Sequence, residues 1–332
     1  MKFFSILGIS SAVALSMSVV HVQATEFIMT SEYEYNSLMG KGDKVFVEKV
    51  KDLSKGDISV VLHLNGSLGL KSADNLDAVA DGVVHMADTL GGVLAGSDPI
   101  FLLASLPFIV NNGEEARALY DAARPAYEAF FAEHGQILLY ASPWVSSGFW
   151  GKKPIDSQEA LTNWKVRTYD ASGTRTMVAA GAAPIQLSWA DVVPQLATGG
   201  IDGVLTSSEG GVVAKFYEHL SHFTEINYAL PLNFRHMNAD AFNSLSEEQQ
   251  KIIRDAASQT EEESWEAARD LVEATYSAMQ GHGVTIVREV SPEFRAHLNA
   301  AAKDVLADWK QRAAEVGAKV MQDYGQKVGR EY

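Results

Sequence analysis

The sequence predicts an α/β fold with two lobes. Segments typical of strands alternate with segments typical of helices along the chain, which indicates parallel βαβ units. Apolar segments near 140–144 and 228–233 are expected to cross between the lobes. The helical pattern that follows Ser246 and continues to Gln280 would extend for roughly 50 Å, more than one small domain needs. We therefore predict that this long helix spans both lobes.

The first half of the chain after residue 24 is predicted to build βαβ units. Short β-branched segments predict strands, apolar residues at helical spacing predict helices, and turns such as Lys55-Gly56-Asp57 separate them. The predicted elements are, in order, a strand at 26–29, a helix at 44–53, a strand at 58–64, a helix at 75–81, a strand at 83–87 that ends at Asp88, an apolar segment at 101–108, a helix at 114–134 and a strand at 137–140.

The segment 161–208 has the order strand, helix, strand, helix, strand. Its first strand carries Arg167 at its C-terminal end, and Thr206 and Ser207 end its last strand. The carboxyl ends of parallel strands share one crevice, where small ligands bind. A guanidinium presents parallel donors that match a carboxylate, so this stretch predicts a site for an acid.

The last third of the chain contains two predicted strands, a capping box and two helices. The strands cover 222–228 and 232–237. Ser246 and Gln249 have the spacing of a capping box, which predicts the start of the long helix. A strand at 284–287 and a helix from Ser291 are predicted to close the fold.

The first 24 residues have the features of a signal peptide. Lys2 supplies a positive charge, residues 3–20 are mostly apolar or small, and Val22-Gln23-Ala24 has the small-residue pattern expected of a cleavage site. We predict export, with Thr25 as the first residue of the mature chain. No other segment approaches the roughly 20 apolar residues that span a bilayer, so we expect no membrane insertion of the mature chain.

The net charge of −15 argues against two classes of partner. Nucleic acids and anionic membranes require clustered basic residues, which this chain does not show. We therefore expect no nucleic-acid partner. An anionic ligand would need a few local donors that overcome an unfavourable overall field.

The common signatures of hydrolases and nucleotide-binding enzymes are absent from the sequence. It contains no Gly-x-Ser-x-Gly elbow, no phosphate loop and no cysteine. His219 and His222 could share a helix face, but no third ligand is suggested nearby, so we predict neither a metal site nor a cofactor. Glu32 and Asp88 follow predicted strands without an evident titratable partner. A secreted enzyme that uses the same crevice is the alternative to a binding protein.

Three motifs in the second half resemble a known family. They are Trp-Lys-Val-Arg-Thr at 164–168, Gly-Ala-Ala-Pro at 181–184, and the run from Trp189 to Gly203 that ends in Gly-Gly-Ile-Asp-Gly. Together they are similar to the extracytoplasmic solute receptors of tripartite ATP-independent periplasmic (TRAP) transporters, the DctP-like family. Leu-Pro-Phe at 106–108 and the Asn-Gly segment at 65–69 agree with this resemblance.

The resemblance implies a two-lobed periplasmic binding protein that closes on its ligand and delivers it to the membrane permease subunits. In that family the arginine that falls on Arg167 binds the ligand's carboxylate, and an aromatic or apolar residue that falls on Trp189 packs on its body. An asparagine of the family falls on Thr206. A second arginine of the sialic-acid receptors falls on Ser147, so this chain lacks it.

These considerations together predict a receptor for a monocarboxylate with an apolar or aromatic body, because one arginine is accompanied by a tryptophan and hydroxyls. Sugar acids are the alternative, and a signalling partner would be a second use of the same receptor. We expect a monomer whose lobe I covers 25–143 and 233–272 and whose lobe II covers 144–232 and 273–332. The predicted ligand-binding residues are Arg167, Trp189, Thr206, Ser207, Ser147, Asp88, Ser31 and Glu32.

Overall fold

The computed structural model describes residues 24–331 and contains two β-sheets surrounded by helices. The predicted signal peptide, apart from Ala24, lies outside the described residues. The strands are β1 (Thr25–Thr30), β2 (Ile58–His63), β3 (Met86–Leu90), β4 (Gln136–Pro143), β5 (Ser147–Gly151), β6 (Lys165–Thr168), β7 (Ala183–Gln186), β8 (Gly203–Ser207), β9 (His222–Thr224), β10 (Leu232–Asn238) and β11 (Thr285–Val287). The α-helices are α1 (Leu38–Leu53), α2 (Asn75–Ala80), α3 (Gly113–Glu133), α4 (Gln158–Leu161), α5 (Ala171–Ala179), α6 (Trp189–Thr198), α7 (Ser208–Val213), α8 (Ala239–Asn243), α9 (Glu247–Gly281) and α10 (Pro292–Val328).

The two sheets define the two lobes, as the sequence predicted. The first sheet has the strand order β2-β1-β3-β10-β4, and the second has the order β11-β9-β5-β8-β6-β7. β1 is parallel to β2 and β3, whereas β10 is antiparallel to β3 and β4. β6 is parallel to β7 and β8, and β5 is antiparallel to β8 and β9. We call the part built on the first sheet lobe I and the other lobe II. The chain enters lobe II after β4 and returns to lobe I at β10.

The long helix α9 connects the cores of both lobes. Its capping box forms as predicted, because Ser246 Oγ accepts from the Gln249 backbone at 3.3 Å and Gln249 Oε1 accepts from the Ser246 backbone at 3.1 Å. Ile253 packs in the core of lobe I, and Met279 packs in the core of lobe II. The predicted helix that spans both lobes is thus confirmed. The C-terminal helix α10 also contacts both lobes, since it packs against α3 of lobe I and α5 of lobe II.

Helix α1 begins six residues earlier than the sequence predicted. Ser37 is its N-cap and accepts from the backbone N–H of Gly40 at 3.0 Å. The early turns are poor in apolar residues, so the helical pattern is weak there. Gly40 is required by packing, because a Cβ at this position would lie 2.2 Å from the carbonyl oxygen of Glu34.

Strand β3 lies further along the chain than predicted. The prediction placed Asp88 and Thr89 at the end of a strand over 83–87, but both residues lie within β3 and are buried. Polar partners make this possible. Asp88 pairs with Arg235 at 3.2 Å, and Thr89 Oγ1 lies 2.7 Å from His236 Nε2. A buried polar strand of this kind does not show the apolar pattern on which strand prediction depends.

His219 and His222 do not share a helix face. His219 follows a short 3₁₀ segment, and His222 is the first residue of β9. None of the helices within residues 24–331 is both long enough and apolar enough to cross a bilayer.

Candidate ligand-binding site

A cavity of about 320 Å³ lies between the lobes. Strand ends of both lobes supply its walls, as expected for ligand sites in α/β folds. Six of the eight predicted site residues line it: Arg167, Trp189, Thr206, Ser207, Ser147 and Glu32. This volume is at the lower end of the range for small-molecule pockets and suits a ligand of few heavy atoms.

Asp88 and Ser31 do not line the cavity. Asp88 Oδ2 accepts from Ser31 Oγ at 3.2 Å and pairs with Arg235, and its Oδ1 accepts from Asn233 Nδ2 at 2.7 Å. The hydrogen-bonding capacity of this carboxylate is used inside lobe I. Ser31 in turn accepts from the backbone of Tyr33 at 3.4 Å, so these residues position the cavity wall from behind.

Arg167 is the principal cation of the cavity. It lies near the C-terminal end of β6, is 2 % exposed, and donates from Nε to the carbonyl of Leu187 at 3.0 Å. Its guanidinium carbon lies 5.8 Å from the ring centroids of both Tyr169 and Trp189. Among residues 24–331 no carboxylate forms an ion pair with it. Burial without such a partner lowers the pKa of Arg167 to about 10.

A second buried arginine shows the opposite arrangement. Arg235 is fully buried in lobe I, where its Nε lies 2.7 Å from Asp43 and its Nη2 3.2 Å from Asp88. Burial alone would lower its pKa, but the two carboxylates raise it well above the ordinary value for arginine. Arg235 is therefore compensated within the fold, whereas Arg167 offers its charge to whatever occupies the cavity.

Aromatic side chains form one wall of the cavity. Trp189, which the sequence predicted, lies 6.5 Å from Trp144 and 6.3 Å from Tyr33, measured between ring centroids. Trp144 and Tyr33 make an edge-to-face contact at 5.1 Å, and Tyr169 completes the wall beside Arg167. Sequence analysis missed Tyr33, Trp144 and Tyr169 as site residues. Each follows the C-terminal end of a strand within three residues, and this position could have identified them as site residues.

The predicted hydroxyl groups lie on the opposing strands β5 and β8. Ser147 pairs with Ser207 in the antiparallel register, and Ser147 Oγ lies 3.5 Å from the hydroxyl of Tyr169. Ser207 Oγ is the N-cap of α7 and accepts from the Gly210 backbone at 3.0 Å. Ser207 therefore has a structural role in addition to lining the cavity. Thr206, in contrast, is not the N-cap of a helix.

Contacts between the lobes close the mouth of the cavity. Lys71 of lobe I pairs with Asp191 of lobe II at 2.8 Å, and both side chains are 44 % exposed. The indole Nε1 of Trp189 donates to Glu34 Oε2 at 3.1 Å, which joins lobe II to lobe I. Such exposed pairs contribute little individually. Together with the cavity they bridge, they hold the two lobes against each other in this structure.

Glu209 makes a further contact between the lobes and is itself buried. Its Oε1 accepts from the backbone N–H of Leu38, the first residue of α1, at 2.8 Å. Its Oε2 has no hydrogen-bond partner among the described residues. Burial, opposed by the Leu38 N–H, raises the pKa of Glu209 to about 7. Its contact with Leu38 joins lobe II to lobe I, so separation of the lobes would break this hydrogen bond.

The fold and the cavity define a solute-binding protein of two α/β lobes, with one uncompensated arginine between them. The chain belongs to family 7 of the bacterial extracellular solute-binding proteins, the DctP family, whose model matches residues 29–312. The resemblance to TRAP transporter receptors is thereby confirmed. The members of this family are receptors that bind solutes outside the cytoplasm.

Similar proteins include receptors with identified ligands. The ectoine-binding periplasmic protein TeaA of Halomonas elongata is 24 % identical, with 98 % of this chain and 94 % of that protein aligned. The structure of DctP7, an extracytoplasmic solute receptor of Bordetella pertussis that binds pyroglutamic acid, matches with a TM-score of 0.88 and 26 % identity over 91 % of this chain and 99 % of that one. A TRAP solute-binding protein from a marine metagenome, specific for pyroglutamate, matches with a TM-score of 0.88 and 25 % identity over 92 % and 99 % of the two chains.

Proposed function

We propose that this protein is a periplasmic TRAP receptor that captures a small monocarboxylate and delivers it to the membrane permease subunits. The observation that carries the proposal is Arg167, a buried guanidinium with no carboxylate partner among the described residues. A ligand carboxylate would accept its paired donors and compensate its charge. The aromatic wall suits an apolar or aromatic body. The pyroglutamate receptors, which share about a quarter of their residues with this chain, bind a small cyclic monocarboxylate and support this reading.

Two other functions are less well supported by the cavity. A sugar acid would use the hydroxyl groups of Ser147 and Thr206, and it is the alternative ligand class.

An enzyme would need a pair of titratable groups that can exchange protons. The lining residues include a single carboxylate, Glu32, whose one hydrogen bond within the described chain is to a backbone N–H. We therefore infer that the protein binds its solute without converting it, and that it acts as a monomer.

A thermal-shift screen of organic acids tests the proposal directly. A ligand that binds only the folded state stabilises it by about 2.7 kcal/mol when present at 100 times its Kd. We expect the largest shifts from small monocarboxylates, smaller ones from sugar acids such as galactonate, and much smaller shifts from every acid with the Arg167→Ala variant. Dicarboxylates or sugar acids that shift the melting temperature most would show that the ligand class is different.

Affinity for the ligand is expected to decrease as the pH rises from about 5 to 8. The pKa of Glu209 is raised in the closed form, so closure is favoured while this carboxyl is protonated, and that contribution is lost as the pH rises through about 7. We expect a decrease of roughly tenfold in the wild type, measured by calorimetric titration across this range. Glu209→Gln keeps an acceptor for the Leu38 N–H but cannot titrate, so its affinity should vary much less. Equal pH dependence of the two proteins would contradict this role.

A further inference from the structure

Two buried side chains of opposite charge line the same cavity without contacting each other. Arg167 is 2 % exposed and Glu32 is 6 % exposed. No ion pair within 4.0 Å joins them, although they are close enough for the charge of Glu32 to raise the pKa of Arg167 against the larger effect of burial. Each charge therefore lacks a full partner inside the protein. Such a pair is complementary to a ligand that carries a carboxylate at one end and a donor at the other.

The carboxylate of Glu32 has one oxygen in use and one without a partner. Oε1 accepts from the backbone N–H of Ser72 at 3.3 Å, a long hydrogen bond. Oε2 is buried and has no hydrogen-bond partner among residues 24–331. An ionised carboxylate can only accept hydrogen bonds, and a buried acceptor that is left unsatisfied is costly. A donor supplied by the ligand would remove this cost.

Neighbouring contacts hold Glu32 in place. It follows β1, between Ser31, which is hydrogen-bonded to Asp88, and Tyr33, whose ring packs on Trp144. These flanking contacts restrict the backbone on both sides. The carboxylate is thus presented at a fixed position in the wall, which favours selectivity for one donor geometry.

We propose that the ligand carries a ring N–H donor besides its carboxylate, and that Glu32 accepts from this N–H while Arg167 holds the carboxylate. The inference rests on the proposed function and specifies the class of acid. A hydroxyl group can also donate, but it brings oxygen lone pairs towards Glu32, whereas a lactam, amidinium or secondary ammonium nitrogen brings none. The cavity of about 320 Å³ accommodates a ligand built on a single ring or a body of similar size. Small cyclic amino-acid derivatives fit all of these conditions.

Two matched pairs of ligands test this inference by calorimetric titration. The first pair is pyroglutamate and 5-oxotetrahydrofuran-2-carboxylate, in which a ring oxygen replaces the N–H. The second is proline and tetrahydrofuran-2-carboxylate. We expect the N–H member of at least one pair to bind the wild type about tenfold or more tightly than its oxygen analogue.

Variants of Glu32 and of a carboxylate outside the cavity separate the role of Glu32 from a general charge effect. Glu32→Gln should reduce the preference for the N–H member to about threefold or less, because the neutral side chain is a weaker acceptor and can itself donate. Glu48→Gln removes the same charge from the exposed side of α1, where Glu48 pairs with Lys44 and does not line the cavity, and it should leave the preference unchanged. Circular dichroism confirms that both variants are folded.

The outcomes distinguish this inference from the proposed function. Oxygen analogues that bind the wild type as tightly as their N–H partners, or a preference that survives in Glu32→Gln, would overturn the role of Glu32 and leave the monocarboxylate receptor intact. Failure of both pairs to bind would also overturn it, because pyroglutamate and proline each carry the carboxylate and the ring N–H that the inference requires. The broader acid screen would still decide the proposed function by itself.

Discussion

Arg167→Ala is expected to weaken binding of the best acid by roughly 30-fold or more and to leave the fold intact. Removal of one partner from a buried charged pair costs about 2–5 kcal/mol, and most of this cost appears in the dissociation rate. The stability of the unliganded protein should not fall correspondingly, because Arg167 has no ion pair to lose within the described chain and its charge is buried at a cost. Calorimetric titration and urea unfolding measure the two effects separately.

Arg167→Lys is the matched control for this experiment. Lysine keeps the positive charge but replaces the planar fork with a single ammonium group, and it cannot reproduce both the hydrogen bond to Leu187 and a two-pronged contact with a carboxylate. We therefore expect little recovery of affinity. Near-normal binding by Arg167→Ala, with an unchanged circular dichroism spectrum, would remove the basis for a carboxylate site in this cavity.

Arg235→Met is expected to affect the stability of the fold, in contrast to Arg167→Ala, which affects ligand binding. We expect a loss of about 3–5 kcal/mol in the free energy of unfolding. The substitution leaves Asp43 and Asp88 buried without the cation that lies 2.7 and 3.2 Å from them. It also removes the cation from the end of the network that runs from Asp88 through Asn233 to the indole of Trp144. Urea unfolding gives the free energy, and thermal unfolding should show a melting temperature lower by several degrees.

A repaired variant makes the prediction for Arg235 specific. Asp43→Asn and Asp88→Asn, added to Arg235→Met, remove the uncompensated charges and should recover a substantial part of the lost stability. Equal stability of wild type and Arg235→Met would show that the network contributes no net stabilisation. The two arginines thus provide reciprocal tests, one of ligand binding and one of folding.

Much of the architecture could be predicted from local patterns. Periodic apolar residues and the Ser246 capping box located α9, and strand patterns located β1, β2 and β6 to within a few residues. The prediction failed for β3, where the buried polar residues Asp88 and Thr89 interrupt the apolar pattern. Their partners Arg235 and His236 lie almost 150 positions away, so no local pattern shows that they are satisfied.

Most of the cavity residues that could be predicted lie in one contiguous segment, with Glu32 and Ser147 as the exceptions. Arg167 and Trp189 lie in one motif-rich segment and both line the cavity. Tyr33, Trp144 and Lys71 come from other segments, and the tertiary structure brings them to the cavity. Asp88 was predicted to face the ligand, but its hydrogen bonds are made inside lobe I.

The sequence by itself determined the two-lobed α/β class, the family resemblance and an arginine at a strand end, because these depend on periodicity and on residues that are close along the chain. Only the tertiary structure decided which buried charges are compensated. Arg235 meets Asp43 across 192 positions, whereas Arg167 meets no carboxylate within residues 24–331. Compensation depends on distances in space, and no short segment of the sequence shows which residues far apart along the chain will meet. That distinction separates the arginine that holds the fold from the arginine that is proposed to hold the ligand.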